Sequence, residues 1–234
     1  MKIGILAAGS NEGALLERFG SFAQMTEEML VGAGFSFQIW DLCVGEFPES
    51  HRDCDGWIIT GSPASVYEPL VWIAPLEQLI RDINQARQGL VGICFGHQII
   101  AQALGGRVSK AKAGWGLGVD HYLPTEKGMV LLGAESHSLH VIHQDQVVTL
   151  PEGAEPLAGS EFCPYGVLSY NSHIFTVQAH PEFSREYMQV LLPAIAPEHI
   201  TLSEAELGVR SILSQSAQPG LVVGEIIRVL KQSS

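Results

Sequence analysis

With 234 residues, 46% of them hydrophobic and 16% charged, the chain can bury a sizeable core and lacks the composition of a disordered polymer. Thirteen Lys and Arg against twenty-five Asp and Glu leave a net charge of −12, which argues against nucleic acid or an anionic membrane as a main partner. Four widely spaced cysteines, Cys43, Cys54, Cys94 and Cys163, form no CxxC pair and predict a reducing, cytoplasmic setting.

The opening run Ile3 to Ala8 is too short and wrongly flanked for a leader peptide. No apolar stretch approaches the roughly 18 residues of a membrane-spanning helix. Residues 2–8 (KIGILAA) read instead as a buried strand. Residues 12–31 carry apolar side chains at helical spacing until Gly32-Ala33-Gly34 stops them. Strands follow at 35–42 and 57–60, the latter running into Gly61-Ser62-Pro63. A helix over 69–87, a strand over 90–94 and a helix over 96–104 complete the first half. Alternation of this kind predicts parallel strands joined by right-handed crossovers, hence an α/β three-layer sandwich.

The second half changes character. Residues 108–124, 129–132, 146–150, 155–160, 166–170 and 174–179 read as short strands between turn residues. They predict an antiparallel extension of the mostly parallel sheet, with the last strand returning to its centre. From Ser184 onward the pattern is helical, with Ser203 and Glu206 at capping-box spacing and a last amphipathic helix over 221–230. The expected organisation is one domain over 1–183, with a helical C-terminal extension over 184–234 packed on it.

The chemistry concentrates in Val91-Gly92-Ile93-Cys94-Phe95-Gly96-His97-Gln98. Gly92-x-Cys94-x-Gly96 between an apolar strand and a helix is the cysteine counterpart of the G-x-S-x-G nucleophile elbow. A sharp strand-to-helix turn exposes the nucleophile, and small neighbours let adjacent backbone pass close by. The helix start beneath Cys94 favours thiolate and offers outward N–H groups to an oxyanion. Without its glycine frame, Cys94 would read as an ordinary buried cysteine.

A thiolate needs a base, and Gln178-Ala179-His180-Pro181-Glu182 offers one after a strand-like run. Pro181 keeps this segment extended, so His180 and Glu182 project to the same side. One imidazole nitrogen can then bond the carboxylate while the other faces Cys94, as in a catalytic triad. His137, His140 and His143 near Glu135 and Asp145 lack metal-binding spacing, so no metal is expected. No phosphate-binding glycine loop occurs either, so no cofactor is expected. Tyr67 and Trp72 read as packing residues.

Taken together, Cys94 in GICFGHQ, His180 and Glu182 in QAHPE, and the TGSP turn at 60–63 resemble the class I (triad-type) glutamine amidotransferase domain. The likeness is to stand-alone proteins similar to the amidotransferase half of GMP synthetase, and it runs from Lys2 to about Phe183. It implies attack of Cys94 on the side-chain amide of glutamine, release of ammonia, and hydrolysis of a γ-glutamyl thioester. It further implies an oxyanion held by the Phe95 N–H and one from the Gly61–Ser62 turn, with Gln98 and His143 near the substrate. Two departures stand out. The turn carries Gly-Ser-Pro where relatives have Gly-Gly-Pro, and Ile142-His143-Gln144-Asp145 keeps a histidine but lacks the preceding serine. The resemblance leaves three uses open: ammonia supply to a separate synthase chain, hydrolysis of γ-glutamyl peptides or amides, or a regulatory subunit with little activity alone.

Overall fold

A computed structural model describes residues 1–232. Its centre is a nine-stranded sheet in the order β2-β1-β3-β4-β11-β10-β9-β6-β7. The parallel part comprises β1 (Lys2–Ala7), β2 (Ser36–Asp41), β3 (Gly56–Ile59), β4 (Gly89–Ile93) and β11 (Ile174–Val177). Pairing turns antiparallel at β10 (Val167–Tyr170) and stays so through β9 (Ala154–Gly159), β6 (Gly116–Pro124) and β7 (His137–His143). A separate ribbon joins β5 (Arg107–Lys110) to β8 (Asp145–Thr149).

Strand periodicity makes the layers. On β3, Trp57 and Ile59 enter one core cluster and Ile58 the other; on β4, Leu90 and Val91 divide in the same way. One face is covered by α3 (Ile73–Gln85) and α4 (Phe95–Ala103), through Leu76, Ile80, Ile83, Ile99 and Ile100. The other is covered by α5 (Glu126–Leu132) and α8 (Gly220–Lys231). Val222, Ile226, Val229 and Leu230 of α8 are fully buried there, each contributing about 1.5–3 kcal/mol by apolar burial. The three-layer α/β fold with its antiparallel extension is therefore as the sequence predicts.

The remaining helices gather at one end. α1 (Gly13–Phe19), α2 (Phe22–Met29), α6 (Arg185–Ala194) and α7 (Leu202–Ser214) enclose a third cluster around Tyr187, Met188 and Leu192. Trp115, Leu117, Val119 and Ile142 of the curled β6–β7 region pack against it. Among the described residues, no helix is long and apolar enough to cross a membrane.

Several expected elements are corrected. The helix expected over 12–31 is two helices, because Gly20 turns to φ 75° and the Ser21–Gln24 capping box starts a new one. Residues 129–132 are helical rather than extended. Thr125 caps α5 by accepting from Gly128 N–H, and a Cβ on Gly128 would lie 1.8 Å from the Leu157 carbonyl, so the helix seats directly on β9. The expected 108–124 run divides into β5 and β6, and β7 occupies a stretch with no expected strand. The capping box of α7 is Thr201–Glu204, not Ser203–Glu206.

Candidate active site

The nucleophile candidate follows from how β4 meets α4. Cys94 links them with φ 52° and ψ −100°, a conformation that costs an L-residue about 1–3 kcal/mol. The glycines on either side make the turn sterically feasible. A Cβ on Gly92 would lie 2.5 Å from the Gly96 carbonyl group, and one on Gly96 would lie 2.3 Å from the Ile59 carbonyl oxygen. Both positions therefore exclude every side chain, and the cysteine is presented at the carboxyl edge of the sheet.

Strand register then brings the partners. Val177 of β11 pairs with Ile93 of β4, and the Cys94 N–H donates to the Val177 carbonyl at 2.8 Å. Gln178 thus lies beside Cys94, and its Nε2 donates to Sγ at 3.5 Å. Two residues later His180 comes within hydrogen-bonding reach of the same sulfur. Its Nδ1–H donates to Glu182 Oε1 at 2.8 Å, leaving Nε2 for the sulfur. Both side chains of this pair are almost wholly buried. The His180 N–H is bonded to the His140 carbonyl at 2.8 Å, and Phe183 stacks face to face on the ring at 4.0 Å between centroids. Burial opposes a charged imidazole here, but the Glu182 carboxylate and the negative charge of Cys94 outweigh it, pushing His180 up to about 10.

The other residues singled out in the sequence divide into two groups. Phe95 opens α4, and Gly61 lies against the nucleophile and the imidazole; a Cβ on Gly61 would lie 3.0 Å from His180 Cε1 and 3.8 Å from Cys94 Cβ. The Ser62 hydroxyl turns back to accept from Ala64 N–H. Gln98 and His143 lie buried underneath. Gln98 Nε2 donates to the Asp145 carbonyl at 2.9 Å and to Gln178 Oε1 at 3.1 Å, so its amide protons are used inside the protein. His143 Nδ1 contacts the same carbonyl at 3.1 Å, and burial pushes this ring down to about 4. His97 beside it is pushed down to about 3 by burial. Both rings are neutral at pH 7 and serve as polar core.

Two features escaped the sequence reading. Gln178 belongs to the QAHPE segment, but its contact with Sγ depends on register and could not be read from spacing. Tyr67 was expected only to pack; its hydroxyl donates to Asp145 Oδ1 at 2.9 Å, and Ser65 donates to Oδ2 at 2.5 Å. These two bonds fasten the segment after the Gly61 turn across the site. Among the described residues, no group of three or more His, Cys, Asp or Glu converges as metal ligands. His140 Nδ1 contacts the Phe183 carbonyl, and β7 sends His137 and His143 to one face and His140 to the other.

The Gln178 contact has a measurable consequence. Gln178→Leu removes a donor to Cys94 Sγ, which would favour a thiolate over the thiol by about 1.5–3 kcal/mol. Alkylation of Cys94 by iodoacetamide at fixed pH should slow by about 10- to 100-fold, and because Gln178 is buried and accepts from Gln98 Nε2, the thermal midpoint should fall as well. Unchanged alkylation would show that the amide does not hold the thiolate.

Fold and site together define an α/β protein with a cysteine at a strand-to-helix elbow, facing a buried histidine–carboxylate pair. The profile of the family "Glutamine amidotransferase class-I" matches residues 14–192. Gamma-glutamyl peptidase 3 of Arabidopsis thaliana is 31% identical over 196 residues, covering 79% of this chain and 78% of its own. A glutamine-hydrolysing GMP synthase of Dehalococcoides mccartyi is 34% identical over 134 residues, covering 57% of this chain but only 24% of the synthase. In three dimensions a glutamine amidotransferase from Methylobacillus flagellatus superposes with a TM-score of 0.76 at 20% identity, covering 99% of this chain and 94% of that one. The chain belongs to the class I glutamine amidotransferase family.

Proposed function

We propose that the chain hydrolyses the γ-glutamyl amide bond through a Cys94–His180–Glu182 triad, with glutamine as the simplest substrate. Cys94 Sγ attacks the γ-carbonyl carbon, and the oxyanion is held by the Phe95 N–H and the Gly61–Ser62 turn. His180 gives its Nε2 proton to the departing nitrogen as the C–N bond breaks, leaving a γ-glutamyl thioester. The same nitrogen then takes a proton from water, which cleaves the thioester to glutamate and free thiol. Glu182 fixes the imidazole tautomer and stabilises the imidazolium.

The observation that carries this reading is the contact of one strained, glycine-framed cysteine with a histidine whose other nitrogen is held by a buried carboxylate. Similarity to a γ-glutamyl peptidase over 79% of this chain and 78% of that one supports an amide hydrolase. With glutamine as substrate, the ammonia would pass to a synthase chain; with a γ-glutamyl peptide no acceptor is needed. The four free thiols fit a cytoplasmic setting.

The test is direct. Purified protein should release glutamate from glutamine or from γ-glutamyl amides, and diazo-oxo-norleucine should add covalently to Cys94, seen by peptide mass. Absence of both glutamate release and adduct would overturn the proposal.

A further inference from the structure

Beside the His180 ring lies a cavity of about 370 Å³, walled by His140, Phe183, Arg185, Ser216 and Pro219. Release of ammonia does not account for it. Ammonia is the size of water, whose share of liquid volume is about 30 Å³, whereas this cavity falls within the roughly 300–1,000 Å³ range of small-molecule sites. Its charge is also unlike the rest of the chain. The protein carries a net −12, yet among the described residues no Asp or Glu lines this wall, while Arg185 and His180 both do.

Arg185 is held in place without being used up. Its Nη2 donates to the Gln215 carbonyl at 2.8 Å and to Ser216 Oγ at 2.7 Å, which leaves Nη1 and, on a separate side of the guanidinium, Nε as single donors to other acceptors. The adjoining wall, at Ser216 and Pro219, belongs to the turn between α7 and α8. The Gln218 N–H anchors that turn to the Ser138 carbonyl at 2.7 Å. The cavity is thus formed between the histidine assigned to protonate the leaving nitrogen and a turn of the C-terminal extension.

We propose that this cavity is the leaving-group subsite for an amino acid departing from a γ-glutamyl dipeptide, with Arg185 pairing with its free carboxylate. The inference rests on the hydrolase reading above and specifies its substrate. The Cys94 sulfur bonds to the γ-carbonyl carbon, the peptide C–N bond breaks, and the His180 proton goes to the departing amino group. Water then cleaves the thioester and restores the thiol. One free guanidinium N–H can donate to the carboxylate, and the charge-assisted pairing supplies the preference.

The experiment compares kcat/KM for a γ-glutamyl dipeptide, the same dipeptide as its C-terminal amide, and glutamine. The wild-type protein should favour the free acid over the amide tenfold or more. In Arg185→Met that ratio should fall close to one. A merely structural role for Arg185 would lower both rates together and preserve the ratio. In Arg185→Glu, at the first position of a helix that tolerates an acid, the preference should turn toward a γ-glutamyl diamine. Equal wild-type rates for acid and amide, or an acid preference that persists in both variants, overturns the subsite while leaving the hydrolase reading intact. Failure to hydrolyse any of these compounds overturns the hydrolase reading, and the subsite falls with it.

Discussion

Cys94→Ala is expected to lower γ-glutamyl turnover by at least about 10⁴-fold, the scale on which loss of a nucleophile is felt in triad hydrolases. The backbone gives no reason for the fold to fail. Alanine at φ 52° bears the same kind of strain as cysteine, Gly92 and Gly96 still fit their close neighbours, and only one buried sulfur is removed. The thermal midpoint should therefore stay near that of the wild type. Measuring glutamate release beside a melting curve separates the two effects. Residual activity above about one percent would mean that Cys94 is not the attacking atom.

Glu182→Gln should cost about 10²–10⁴-fold in kcat, because the isosteric amide leaves the imidazole without its charge and with the wrong tautomer favoured. It should also carry a pH signature. His180 loses stability as an imidazolium by burial and regains it from Glu182 first and from Cys94 second, ending at about 10. Because this value is raised above the ordinary 6.5, the charged pair contributes fully below 6.5 and is lost as pH rises through about 10. Removing the carboxylate leaves burial opposed only by the sulfur. The alkaline limb of kcat/KM should move to lower pH, while a purely structural defect would lower the plateau without moving that limb. Titrating kcat/KM of both proteins between pH 6 and pH 11 checks this.

The parts of the molecule legible from sequence are those where one interaction dominates. The inner strands β3, β4 and β11 are buried on both faces, so they read as apolar runs interrupted only by Thr176. The elbow was legible because Gly92 and Gly96 answer to hard sterics. His180 and Glu182 were legible because Pro181 fixes their spacing. Elements that depend on tertiary neighbours were not. In β7, three histidines hide the strand pattern, and only the fold reveals that burial keeps His140 and His143 from charging easily. In α5, the apolar run Met129 to Leu132 suggests a strand, but the cap at Thr125 and the close seat of Gly128 on β9 decide otherwise. Thr201–Glu204 and Ser203–Glu206 are overlapping copies of one capping pattern, and local spacing alone cannot choose between them. The cavity beside His180 was the least legible feature, since its walls come from β7, the start of α6 and the turn before α8.

The neighbourly pairing of β4 with β11 bears on how such a scaffold can diversify. The strands that deliver sulfur and imidazole lie side by side, although everything from α4 to β10 intervenes along the backbone. That long excursion leaves one strand and returns to the next. Closing it costs an entropy that grows only with the logarithm of its length, about 0.6 kcal/mol for each doubling. Segments can therefore be added to or trimmed from the excursion with little penalty, while the reacting atoms stay where two adjacent ladders hold them.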